Sequence, residues 1–247
     1  MHFKTVQASA IKATFEVLKD ILNDVNLLFD KDGVRILTLD TARVALVDFF
    51  LSADDFEEYE CNGEVIAGLN ITNTFKLLKT ITNNDIVSFD IKDTEFLHIK
   101  IENTAKKSQT SFKLKLLDID DDRIELPPID MNIVTVMPSV DFQRIIRDMN
   151  NISQEVSIIR SNDRFKISCE GDFANQETVI DCNDDKFKGT VGGVYSLKYM
   201  NLFTKATGMC STVQIMQEET NRFLILKYNV ANLGELKFFL STKVDEH

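Results

Sequence analysis

Tryptophan is absent from the 247 residues, and there are only three prolines, four cysteines and three histidines. Each scarcity excludes something. Cys61, Cys169, Cys182 and Cys210 lie far apart without C-x-x-C spacing, and two of the histidines, His2 and His247, stand at the chain ends. Neither a disulfide framework nor a zinc site is expected from that pattern. No run of eighteen apolar residues occurs, and the opening Met1-His-Phe-Lys-Thr-Val has no basic segment leading into an apolar block. A soluble, intracellular protein is therefore expected. The sequence also lacks G-x-x-x-x-G-K-[ST], G-x-S-x-G and H-E-x-x-H patterns, so nothing points to a nucleotide-hydrolysing, acyl-transferring or zinc-dependent enzyme.

What is present is an apolar content of 44%, enough for a sizeable core, with a net charge of −11 and a sequence pI near 4.8. An acidic balance points away from nucleic acid unless the cations are concentrated in one place. They are concentrated. Four stretches, at 9–20, 72–80, 139–149 and 195–207, combine an apolar stripe at helical spacing with basic residues on the other side. In the first, Ile11, Phe15, Leu18 and Leu22 share one face, Lys12 and Lys19 another, and Ser9 is positioned as the N-cap. Phe75, Leu78 and Ile81 oppose Lys76 and Lys79, and Leu197, Met200 and Phe203 oppose Lys198 and Lys205. The third helix carries Arg144 and Arg147.

Between these stretches the pattern favours strands: 2–7, 26–29, 34–39, 44–51 and 64–67 before the second helix, then 86–91, 96–101 and 110–117. An acidic segment follows at 118–131, with Pro127 and Pro128 inside it and Pro138 just beyond, and reads as a linker. The plan then repeats. A strand at 132–137 and the helix from 139 answer 2–7 and the helix from 9 at an offset of 130, and 195–207 answers 69–81 at 126. Strands at 213–216, 224–228 and 233–240 match the three that close the first half. Strand, helix, several strands, helix and three strands, given twice, form an internal duplication. The expected fold is α+β: two domains of one topology at 1–117 and 132–247, each with two helices packed on β-sheet.

Asp118, Asp120, Asp121 and Asp122 suggest a metal-dependent nuclease as a rival reading. Metal nucleases take carboxylates from a rigid concave site, whereas consecutive acids in a linker are solvated, so no metal, cofactor or catalysis is expected.

Several runs together resemble the proliferating cell nuclear antigen family of sliding DNA clamps along essentially the whole chain. They are Val17-Leu-Lys-Asp20, residues 69–79, Lys115-Leu-Leu-Asp-Ile-Asp120, Met137-Pro-Ser139, Arg144-Ile-Ile-Arg-Asp148, Tyr199-Met-Asn-Leu-Phe-Thr-Lys-Ala-Thr207 and Leu233-Gly-Glu-Leu-Lys-Phe-Phe-Leu240. The resemblance implies a homotrimeric ring whose helices surround duplex DNA, with a polymerase, a clamp loader and other proteins recruited by short peptides. It implies DNA contacts from Lys12, Lys19, Lys76, Lys79, Arg144, Arg147, Lys198 and Lys205, which would read no sequence. Ala13 and Asn151 stand where clamps often have a lysine and a histidine. It also implies a peptide pocket of Leu39, Val44, Leu46, Ile124, Leu126, Pro127, Phe223 and Phe239, although Phe223 and Thr242 occupy positions that are often proline. A subunit interface follows in the same way, with Phe112 in the end strand of one copy meeting Phe173, Val179 and Ile180 in a strand at 173–180 of the next. The lysine that clamps use for ubiquitin-type modification falls at Asn162. Localisation would be the nucleus or a site of viral DNA replication. The alternatives are a subunit of a heterotrimeric checkpoint ring or a monomeric viral processivity factor.

Overall fold

The computed structural model of the protein describes residues 1–120, 124, 126, 132–182, 187–220 and 222–243. It forms two compact units, one of Met1–Thr41, Val47–Ile124 and Asn229–Leu236, the other of Ala42–Leu46, Glu125–Tyr228 and Lys237–His247. Most of the linker expected at 118–131 falls outside the described residues.

In chain order the elements begin β1 (His2–Thr5), α1 (Ala8–Leu18), β2 (Asp24–Phe29), β3 (Gly33–Leu39), β4 (Ala45–Ser52), β5 (Glu58–Glu60) and β6 (Val65–Asn70). There follow α2 (Ile71–Leu78), β7 (Asp85–Ile91), β8 (Phe96–Asn103) and β9 (Ser108–Lys115). The second series is β10 (Ile133–Pro138), α3 (Ser139–Met149), β11 (Glu155–Ser161), β12 (Arg164–Glu170), β13 (Asn175–Asp181), β14 (Thr190–Ser196), α4 (Leu197–Phe203), β15 (Thr212–Gln217), β16 (Phe223–Val230) and β17 (Gly234–Ser241).

The strands are ordered β5-β1-β7-β8-β9, β13-β12-β11-β14 and β10-β15-β16-β17-β4-β3-β2-β6. The duplication is visible in this topology, since β6-β2-β3-β4 recurs as β14-β11-β12-β13 and β1-β7-β8-β9 as β10-β15-β16-β17. Register repeats as well: Asp24 faces Asn70 at one end of β2–β6, and Glu155 faces Ser196 at the same end of β11–β14. Even the segments after the closing strands dock alike. Leu117 N–H donates to the Gly68 carbonyl (2.8 Å) and Lys243 N–H, 126 residues later, to that of Val194 (2.9 Å). Glycine is required at 68, where a Cβ would lie 2.1 Å from the Leu117 carbonyl oxygen.

Alternation puts one face of each sheet inside. In the first unit Phe3 stacks on Phe89 and touches Phe56 (centroids 4.7 Å in both), below the buried stripe Ile11, Phe15 and Leu18 of α1. Phe203 of α4 stacks on Phe238 (4.6 Å) in the second. Burying such rings contributes about 2 kcal/mol or more each, which decides which helix face turns inward.

Three local expectations are corrected. Ser9 is not the N-cap of α1; the cap lies two residues earlier, at Gln7, which makes no side-chain cap bond. The stretch 195–207 is not one helix, because Tyr195 and Ser196 complete β14 and the α-helix passes at Thr204 into a 3-10 turn, Thr204–Gly208. Phe173 is not in a strand: β13 begins at Asn175, and Phe173 sits in the preceding turn with 77% of its surface exposed. At the second helix the cap is Asn70, whose Oδ1 accepts from Asn73 N–H (2.9 Å).

Candidate nucleic-acid interface

Each unit presents a helix pair whose apolar stripe is buried and whose polar side carries cations. Lys76, Lys79, Arg144, Arg147, Lys198 and Lys205 are exposed. Lys12 and Lys19 are half-buried and partly engaged: Lys12 Nζ donates to the Ile81 carbonyl (2.9 Å), while Lys19 pairs with Asp20 (2.9 Å) and lies 5.4 Å from the Phe75 ring centroid. Lys76 donates to Asn73 Oδ1 (3.1 Å) and Arg144 pairs with Asp141 (3.3 Å). Against these eight cations the helices and their caps carry four acids, Glu16, Asp20, Asp141 and Asp148, so the helical surface is positive within a chain of net charge −11. Exposed ammonium and guanidinium groups with spare donors suit phosphate oxygens, contacts that carry no sequence information.

The apolar residues expected to receive a partner peptide lie in both units. Leu39 and Val44 are exposed (37% and 39%), Leu46, Ile124, Leu126 and Phe223 are half-buried, and Phe239 is buried. Pro127 lies outside the described residues. The first unit contains a cavity of about 330 Å³ that the sequence reading missed. Leu28, Leu37, Ile66, Ile119 and Ile124 give it apolar walls, and Asp24, Asn26, Arg35, Thr38 and Asp120 a polar rim. Its signal was faint but present: β2 buries Val25, Leu27 and Phe29, so Leu28 must be an apolar residue on the opposite face. Asn26 Nδ2 donates to the Ile119 and Asp120 carbonyls (3.3 Å each) and fixes one wall. Arg35 is neutralised by Asp48 (3.0 Å), which leaves Asp24 and Asp120 to make the rim acidic.

The strands that end the sheets include β9 in the first unit and β13 in the second. Phe112 and Ile180 are half-buried on these edges, and Val179 is 46% exposed. At Asn162 the side chain accepts the Gly189 N–H (2.6 Å). Of the acidic run, Asp121 and Asp122 lie outside the described residues, and among the described residues no group of three His, Cys, Asp or Glu is placed to hold a metal ion.

Residues 1–124 match the family model for the N-terminal domain of proliferating cell nuclear antigen, and residues 125–243 match that for its C-terminal domain. The chain is 39% identical over 254 aligned residues to the probable DNA polymerase sliding clamp 1 of Paramecium bursaria Chlorella virus 1, covering 97% of this chain and 95% of that protein.

Proposed function

The chain belongs to the proliferating cell nuclear antigen family and is a DNA sliding clamp serving polymerase processivity, and from this premise we propose how its residues do the work. Three copies close into a homotrimeric ring, each chain contributing domains 1–117 and 132–247 joined by a connecting segment at 118–131. Duplex DNA passes along the helices, where Lys12, Lys19, Lys76, Lys79, Arg144, Arg147, Lys198 and Lys205 offset the repulsion that an acidic ring would exert on phosphates. The observation that carries this reading is the excess of cations on the helical surface of an acidic chain. The contacts are electrostatic and non-specific, so retention on DNA comes from topology and the ring slides. No chemistry is performed; the protein is a tether rather than an enzyme.

Recruitment runs through short peptides with one aliphatic and two adjacent aromatic residues, received by Leu39, Val44, Leu46, Ile124, Leu126, Pro127, Phe223 and Phe239. The polymerase and the clamp loader are the partners proposed for this mode, at a nuclear or viral replication site. The first unit supplies an aliphatic seat through Leu28, Leu37, Ile66 and Ile119 beside Ile124. Processive synthesis on primed circular DNA tests the whole reading: the protein should lengthen products made by a family-matched polymerase and loader. A linear template with free ends should release the ring and cancel the gain. Equal stimulation on both templates would mean that encirclement is not the mechanism.

A further inference from the structure

Two of the strands that end sheets, β9 and β13, are charged oppositely, and they are charged on the same layer. Along β9, Ser111, Lys113 and Lys115 are exposed, while Phe112 and Leu114 between them are half-buried. Along β13, Asn175, Glu177, Val179 and Asp181 are exposed, while Gln176, Thr178 and Ile180 are half-buried. An edge strand offers unpaired N–H and C=O groups to another chain, and side chains opposite one another across the new ladder then interact. We propose that these edges form a charge code selecting a second copy of this chain, head to tail, as the neighbour. The inference rests on the homotrimer reading given above and adds the residues that decide which edges meet and in which register.

The register follows from layering. Every described ladder of the protein is antiparallel, and the new one is taken to be the same. Setting Phe112 opposite Ile180 keeps the half-buried layers together and places Leu114 opposite Thr178. The exposed layer then has Lys115 opposite Glu177 and Ser111 opposite Asp181, with Lys113 opposite Val179 and diagonal to both acids. Behind β13, Lys166 pairs with Glu177, and Arg164 faces Asp181 in the β12–β13 register. Behind β9, Lys113 lies 3.8 Å from the Phe96 ring centroid. The joined surface would alternate lysine, carboxylate, lysine and arginine from strand to strand.

The same code disfavours the wrong assemblies. Two β9 edges brought together antiparallel would bring lysines against lysines, and two β13 edges would oppose Glu177 and Asp181, so symmetric dimers are repelled. An internal contrast supports a role specific to joining copies. The counterpart of β9 in the duplication is β17, which already sits beside β4 in the strand order. There, 126 residues on from Phe112 and Lys113, stand Phe238 and Phe239, both buried. The counterpart positions are aromatic and buried, whereas the edges left for a neighbour carry charge, which salt can weaken.

Charge reversal with sedimentation at low salt tests this. K113E/K115E leaves both edges acidic and E177K/D181K leaves both basic; each should raise the concentration needed for trimer formation about tenfold or more, and about 1 M NaCl should erase most of the difference. Reversing all four residues restores complementarity, and that variant should form trimers again while exchanging subunits poorly with the unaltered protein. Mixing the two double variants gives a sharper result. Each complements the other but repels itself, and a ring of three cannot alternate, so pairs or even-numbered rings should appear instead of mixed trimers. If the unaltered protein is trimeric and the double variants remain equally trimeric at low salt, or the fourfold reversal fails to recover, the charge code is overturned while the ring stands. A monomeric unaltered protein would overturn the ring itself. Circular dichroism melting of each variant separates loss of assembly from loss of fold.

Discussion

Asp85 is where a single side chain governs local order. Its Oδ2 accepts the Thr82 N–H (2.7 Å) and its Oδ1 the Asn103 amide (2.5 Å), tying the turn after α2 to the β7–β8 hairpin. Burial alone would raise its pKa, but the Thr82 backbone, the Asn103 amide and the Thr82 hydroxyl favour the carboxylate and hold it below the usual range. Because the folded value is depressed, its stabilisation is complete above the unfolded value of about 4 and is lost as pH falls through the lower folded value. Asp85→Asn should cost about 1–3 kcal/mol at neutral pH and flatten the acid limb of a melting-temperature profile below pH 4. An unchanged acid limb would assign that pH dependence to other carboxylates. At the same scale, Ile124→Asp or Ile66→Asp should weaken titration of a recruitment peptide about tenfold or more, since each puts a charge into the apolar wall of the first unit's cavity. Undiminished binding by both would place the peptide elsewhere.

Among the elements, the four helices are proposed to separate stability from function along their two faces. Reversing Lys76 and Lys205 to Glu alters four charges per chain while leaving the buried Leu78, Met200 and Phe203 in place. Folding and peptide binding should persist. Loading onto circular DNA and stimulation of synthesis should fall at least tenfold, and more steeply as salt screens the remaining attraction. Wild-type processivity across salt concentrations would mean that these faces do not meet DNA. Lys12 and Lys19 should matter less, because they are half-buried whereas Lys76 and Lys205 are exposed.

For the molecule as a whole, the expectation is a particle of three times the 28.2 kDa chain mass. Light scattering at micromolar concentration measures it directly, and a stable single-chain mass would support the monomeric processivity factor instead. Phe112→Ala should lower that mass before it lowers the melting temperature, since Phe112 is half-buried at a sheet edge rather than in either core.

The sequence alone determined the features that depend on local periodicity. The helical stripes, the closing strands and the offset between halves were legible because a period of 3.6 or 2 is written into consecutive residues. Runs such as Tyr199–Thr207 and Met137–Ser139 carried the family in the same way. Local pattern failed where tertiary contacts set the outcome. Tyr195 and Ser196 have helical neighbours but are held in β14 by pairing with Val156 and Glu155, and Phe173 follows a β-like pattern but precedes the first β13 ladder pair. The strands of 155–196 could be read only as several, since their boundaries come from partners distant in sequence. The cavity was hidden for the same reason: Leu28, Leu37, Ile66 and Ile119 are far apart along the chain and share a wall only after β2, β3 and β6 pair and Asn26 pins the segment at 119–120. So was the opposition of the two edges. Lys113 and Glu177 are ordinary surface residues in the sequence, and only the strand order leaves β9 and β13 at the ends of their sheets, where their charges can meet another chain.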